Sequence, residues 1–336
     1  MPISPASHLS CFSWFLPLIY REFKIYIKTF LFLKKPKIIY IPFKIYYKNK
    51  IKIYYKNKIY RGEGGMKVGV NSRLVREISR GPLSLSYLDV ELVELGFDDI
   101  ALLDRYLEIN HAMLWALDSF DVAFSLHVPT SDAKVPNLRV DLGRMLRNNF
   151  KVMKRVFEIA SLLDVKHVVI HGGDIIAGEN RDKFEGVPYR KAFVNTARNL
   201  KVLGALAREY SVTLCLENLD DNRVGSLPVE LLALLHAVDA DISVTFDTGH
   251  AFIIAERYGI PFSDFFDVLH PFIKHVHLHD NDGISDLHLP PGEGKIDTGS
   301  VLMDIRDIQP ENVVLEIRRF ADPEKVKESI RAVDVL

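Results

Sequence analysis

Nine side chains of two kinds could share one chemistry: His127, His171, His250, His277 and His288, with Glu217, Asp247, Asp286 and Glu316. Imidazole nitrogen and carboxylate oxygen are donors for divalent metal, and with no thiolate among them they suit Zn²⁺, or Mn²⁺, Fe²⁺ or Co²⁺. Each residue alone is more often a hydrogen-bonded structural group than a ligand. Gathered in one place they read differently, because unpaired carboxylates and imidazoles are costly to bury and a divalent ion is the usual remedy. An ion so held can lower the pKa of a bound water for hydrolysis, or polarise a carbonyl while carboxylates move a neighbouring proton.

Gathering them requires elements that end on a common edge. From Met66 onward, short β-branched runs alternate with longer stretches of helical period, the pattern of parallel βαβ units. Strands are predicted at residues 67–70, 90–95, 122–127, 167–171, 213–217, 243–247, 275–279 and 313–317. Between them, Arg144 to Leu163 and Tyr189 to Tyr210 carry apolar residues at three and four spacing with charges opposite, as helices outside a sheet should. Eight units in 66–336 fit an α/β fold of the (β/α)₈ TIM-barrel type. A doubly wound sheet is disfavoured because KVGVNSRL, after the first strand, contains no GxGxxG turn.

A barrel of this kind is expected to pack branched apolar side chains inside and to do chemistry at the C-terminal ends of its strands. Strands three to six end at His127, His171, Glu217 and Asp247, with His250 three residues on. Strand seven carries His277 and is followed by Asp286 and His288, and strand eight carries Glu316. His275, His279, Asp280 and Asp282 are weaker candidates, better suited to orienting ligands than to being ligands. His111 and His236 fall on predicted helices, His167 opens a strand, and His270 precedes Pro271.

Residues 1–65 are different in kind. They hold 13 Lys and Arg against two acids, Glu22 and Glu63, and 8 of the 13 tyrosines, leaving 30 bases and 42 acids in 66–336. KIYYKNKI at 44–51 recurs unchanged at 52–59. Two eight-residue copies cannot stack into a solenoid, so this basic low-complexity stretch is expected to be non-globular. It reads as translated upstream DNA before a start at Met66, or as a disordered arm. The apolar run from Cys11 to Tyr20 is too short to span a bilayer and lacks the flanks of a signal peptide. No membrane contact, no obligate protein partner and a cytoplasmic location are therefore expected. The acidic balance of 66–336 argues against non-specific adhesion to nucleic acid. Cys11 and Cys215 are the two cysteines, too few for a disulfide framework.

The segments SLHVP, VVIHGGD, LCLENLDDN, VTFDTGHAF, VHLHDND, SDLHLPPGEG and VVLEIRR together resemble the xylose-isomerase-like TIM-barrel superfamily. FDTGHAF and the DxH followed by GEG at Asp286 to Gly294 are most like the endonuclease IV branch, AP endonuclease family 2. That resemblance implies up to three Zn²⁺: His127, His171 and Glu217 on one, Glu217 bridging to a second with Asp247, His277 and Glu316, and His250, Asp286 and His288 on a third. It implies DNA repair, a metal-dependent hydrolase cutting abasic-site DNA on the 5′ side with a metal-bound hydroxide. The same superfamily implies an alternative, a sugar or sugar-phosphate isomerase or epimerase. There one ion sits among Glu217, Asp247, His277 and Glu316, and Glu217 and Glu316 form the catalytic acid/base pair. Asp286 and His288 discriminate best, since a single-ion isomerase has no need of them as ligands.

Overall fold

The structure, a computed structural model, describes residues 65–79, 88–145, 147–175, 188–220, 223–238 and 241–336. Residues 1–64, on which the expectation of a basic arm rests, lie outside these. The eight apolar runs form eight strands: β1 Lys67–Asn71, β2 Leu92–Gly96, β3 Ala123–His127, β4 His167–Ile170, β5 Thr213–Glu217, β6 Ile242–Asp247, β7 Ile273–Leu278 and β8 Asn312–Leu315. Neighbours pair in parallel in chain order, and β8 returns to β1 through Val68 opposite Val313, closing a (β/α)₈ barrel.

The helices in chain order are α1 Ser72–Ser79, α2 His111–Asp118, α3 Arg147–Leu162, α4 Tyr189–Glu209, α5 Pro228–Val238, α6 Thr248–Tyr258, α7 Ser263–Leu269, α8 Thr298–Ile308 and α9 Pro323–Asp334. Helix α3 shows why they pack as they do. Val152, Met153, Val156, Phe157, Ile159 and Ala160 make one buried stripe, while Lys151 and Lys154 face water. Each such fully buried large apolar side chain contributes roughly 1.5–3 kcal/mol. Among the described residues no helix is long and apolar enough to cross a membrane.

Side chains alternate across each strand. The outward set is apolar and joins the helices in the core: Val68 and Val70, Val93 and Leu95, Leu214 and Leu216, Val244 and Phe246, Val313 and Leu315. The inward set corrects the expectation of a branched apolar interior. Contacts among Glu94, Ser125, His275, Asn312 and His167 bring polar residues of five strands together inside the barrel. Hydrogen bonds from Ser125 to Glu94 and from Asn312 to His275 and His167 offset part of the cost of burying these groups, and the helix-facing side supplies the hydrophobic core instead.

Candidate metal centre

The expected ligands come from the C-terminal ends of the strands, and local structure explains their placement. Asp247 ends β6 and caps α6, its Oδ1 accepting from the His250 backbone N–H at 2.7 Å. The TGH that follows puts His250 in the first turn, facing the mouth. Gly249 leaves no room for a side chain, because a Cβ there would overlap the His279 ring. Asn218 locks β5 to β6: its side chain accepts from Asp247 N–H at 2.7 Å and donates to the Asp247 carbonyl at 2.8 Å.

His277 is the focus. It is fully buried, and its Nδ1 has no hydrogen-bond partner. One oxygen from each of three carboxylates surrounds that nitrogen: Glu217 Oε1 at 3.5 Å, Asp247 Oδ2 at 3.7 Å and Glu316 Oε2 at 3.5 Å. Burial raises the Glu217 carboxyl pKa, but the adjacent His171 and His277 imidazoles, with hydrogen bonds from His127 and His171, outweigh it and hold the group well below the usual range. Asp247 and Glu316 are lowered in the same way against burial, by His250 and His279 for the first and by His288, Arg318 and His277 for the second. Three ionised carboxylates around one unpartnered buried nitrogen form a donor set that fits a divalent cation.

His127 and His171 meet the other oxygen of Glu217, at 3.2 and 3.0 Å. His127 Nδ1 donates to the Val128 carbonyl at 3.0 Å, and its Nε2 is hydrogen-bonded to Glu217 Oε2 at 3.2 Å. That contact raises the His127 pKa against burial, so Nε2 must give up its proton before it can bind metal. Burial, reinforced by His127 and Arg223, lowers His171 to about 4 against the pull of Glu217, so this ring is neutral, as a ligand must be. Two adjacent groups of potential ligands therefore share Glu217: His127 with His171, and Asp247 with His277.

The remaining three residues meet differently. Asp286 Oδ2 lies 2.8 Å from His288 Nε2 but 3.8 Å from His250 Nε2. His288, with φ of 51° in the left-handed region, donates from Nδ1 to the Glu316 carbonyl at 2.7 Å. His250 Nδ1 donates to the Asn218 carbonyl at 3.1 Å. Arg318 stands over this rim, 2.7 Å from Glu316 Oε1 and 3.9 Å from Asp286 Oδ2. His279 is buried with its Nε2 3.1 Å from Asp247 Oδ1, and its ring stacks on His288 at 4.0 Å.

Asp280 accepts from the backbone N–H groups of Gly292, Gly294 and Ile296 at 2.9–3.0 Å, so GEG is a loop clamp that holds the segment carrying Asp286 and His288. Asp282 is half-buried and accepts from the Ile284 and Ser285 N–H groups. Sequence reasoning missed Glu94, Asn218, Arg223 and Arg318. Glu94 left one signal: an acid inside the apolar strand run VELVEL. Cys215 is buried and burial raises its thiol pKa, so it stays a neutral packing group. The centre opens into a cavity of about 900 Å³ whose wall includes Glu94, His127, Arg139, His250, Asp286 and Arg318.

A closed (β/α)₈ barrel with candidate metal-binding groups at its mouth is the class of protein that the fold and site define. A family profile described as Xylose isomerase-like TIM barrel matches residues 90–335, and the chain belongs to that family. An uncharacterised protein of Methanocaldococcus jannaschii is 27% identical over 278 residues, covering 79% of this chain and 88% of the relative. Fructoselysine 3-epimerase of Escherichia coli O157:H7 is 25% identical over 187 residues, 54% of this chain and 62% of the enzyme. Among solved structures, a D-tagatose 3-epimerase-like protein has a TM-score of 0.62 at 24% identity, covering 80% of this chain and 99% of its own. A Thermus thermophilus protein soaked with ZnCl₂ has a TM-score of 0.58 at 24% identity, covering 80% and 98%.

Proposed function

We propose that the protein is a metal-dependent epimerase or isomerase of a small sugar or sugar phosphate. The observation that carries this reading is His277 Nδ1, unpartnered and ringed by Glu217, Asp247 and Glu316 at 3.5–3.7 Å. One imidazole with three carboxylates is a hard, oxygen-rich set suited to Mn²⁺ and to related divalent ions. A bound divalent ion supplies positive charge that polarises a sugar carbonyl and the neighbouring hydroxyl.

Glu217 and Glu316 enter from β5 and from the end of β8, on either side of His277. One carboxylate takes the proton from the carbon next to the carbonyl, and the C–H electron pair moves onto the carbonyl oxygen to give an enediolate. The other carboxylate, having taken a proton from water in the cavity, delivers it to the opposite face of that carbon as the electron pair returns from oxygen, inverting the centre, and the first gives its proton back to water. Arg318 holds Glu316 by its Oε1 and leaves Oε2 turned to the centre. His250 and His127 line the cavity, where they can hold sugar hydroxyls. The similarity to fructoselysine 3-epimerase supports the same class of reaction and favours it over DNA cleavage.

Phosphodiester hydrolysis is the second reading. It draws support from the sharing of Glu217 by two ligand groups, an arrangement that two ions a few ångströms apart would use. One experiment separates the two. The Mn²⁺-loaded chain is incubated with a panel of ketoses and ketose phosphates in D₂O, and in parallel with a duplex carrying an abasic-site analogue. Chelator-sensitive deuterium incorporation next to the sugar carbonyl is the expected result. Cleavage of the duplex with no exchange in any sugar would overturn the epimerase reading.

A further inference from the structure

The centre needs His277 to present Nδ1 without a proton, and the residue that enforces this lies beneath it. Building on the metal centre proposed above, we propose that Glu94 on β2 is the positioning residue that fixes His277 for metal. Glu94 Oε1 lies 3.0 Å from His277 Nε2, on the ring edge opposite the three carboxylate oxygens. Its other oxygen receives the Ser125 hydroxyl at 3.1 Å and lies 3.0 Å from His275 Nε2. Ser125, His275 and His277 are fully buried and Glu94 is 2% exposed, so no solvent competes for these contacts.

The direction of the protons follows from the far end of the chain of contacts. Asn312 Nδ2 lies 3.3 Å from His275 Nδ1 and 3.0 Å from His167 Nδ1, and an amide NH₂ can only donate. His275 therefore carries its proton on Nε2, facing Glu94. Oε2 thus faces Ser125 and His275, and Oε1 faces His277. A carboxylate beside one ring nitrogen keeps the proton there and leaves the lone pair on the other, the arrangement in which a carboxylate orients a metal-binding imidazole. The same proton placement argues against an ion held by Glu94, His275 and His277 themselves, although the three lie close enough to suggest one. His275 Nε2 cannot both carry a proton and bind metal.

The test uses the full chain, stripped of metal and titrated with Mn²⁺ against a competing chelator, and then loaded with Co²⁺ for proton NMR. Glu94→Gln is expected to weaken Mn²⁺ binding by about 10- to 100-fold with unchanged stoichiometry, and Glu94→Asp to recover most of the loss. In the Co²⁺ form, the shifted, slowly exchanging ring N–H of His277 should broaden or vanish in Glu94→Gln, a change that mere destabilisation would not produce. If that variant fails to fold, Ser125→Ala decides, with an expected weakening of about threefold to tenfold from loss of one hydrogen bond to Glu94. Affinity within twofold of wild type in the folded variant overturns the proposal. So does the loss of one of two bound equivalents, which would make Glu94 a ligand in its own right. Failure of the wild type to bind Mn²⁺ would instead overturn the metal reading beneath it.

Discussion

Two regions of the mouth are built from the same residue types and differ in what is left over. Around His277, three carboxylates face a buried nitrogen that no hydrogen bond satisfies. At the rim, His288 is engaged at both ring nitrogens, Asp286 meets His288, and Arg318 supplies a fixed positive charge. Arg318 serves both regions, 2.7 Å from Glu316 and 3.9 Å from Asp286, so the difference lies in the ring nitrogens, unpartnered at His277 Nδ1 and engaged at His288. Histidine and aspartate at a strand end are therefore ambiguous until their other contacts are known. A ring nitrogen that donates to a backbone carbonyl is not available to metal, and one that faces a carboxylate is available only once it has lost its proton.

The largest effect expected from this contrast is on the His277 region as a whole. Exhaustive chelation should abolish turnover and Mn²⁺ should restore it. Saturating Mn²⁺ at about 100 times its Kd should stabilise the protein by about 2.7 kcal/mol in thermal or urea unfolding. Asp247→Ala should lose that stabilisation, and a variant still stabilised to the same degree would place the ion elsewhere.

Next come the two acid/base candidates. Glu217→Gln and Glu316→Gln should each lower kcat by about 10²- to 10⁴-fold. In D₂O, single-turnover exchange should stop when the proton-abstracting residue is changed, and a variant that epimerises at the wild-type rate would remove that residue from the mechanism.

At the rim the expectation reverses. Asp286→Asn and His288→Asn should leave the number of bound ions unchanged and cost about tenfold or less in kcat/KM. Loss of a bound equivalent by elemental analysis would show that the rim holds an ion after all, and would revive the trinuclear hydrolase.

The smallest effect lies at the opposite end of the barrel. There Glu311 is held to a pKa of about 2, chiefly by His167 and also by Lys274, against partial burial. A lowered carboxyl contributes stability that is present above its unfolded pKa of about 4.3 and lost as pH falls through the folded value. Glu311→Gln should therefore be less stable than wild type at pH 6, with the gap narrowing towards pH 2 in urea unfolding. Half the Glu311 side chain is exposed, so water screens the pair and the effect is small. A gap that widened on acidification would show the sign to be wrong.

Much of the frame was legible because strand and helix periods are local properties. SVTFD, TLCLE and VVLEI each announce a buried strand and place an acid at or near its end. The barrel follows from eight such units, and its outward apolar face follows from their alternation. Less legible was the interior. His275 read only as a group that could orient ligands and Asn312 fell just before the predicted strand 313–317, yet they form a buried polar chain with His167 from a strand more than a hundred residues away. Glu94 was hidden for the same reason: two of the three side chains around it, His275 and His277, lie on β7.

The sequence by itself determined the closed α/β barrel, the ring of histidines and carboxylates at its mouth and the absence of a thiolate among them. Spacing along one chain is enough to set those. Only the tertiary structure decided which of the nine carry unsatisfied atoms, because hydrogen-bond saturation depends on contacts across strands that sequence distance does not encode. His277 and His288 are the same residue type eleven positions apart. One is left with a free nitrogen among carboxylates, and the other is bound by a carbonyl on one side and a carboxylate on the other.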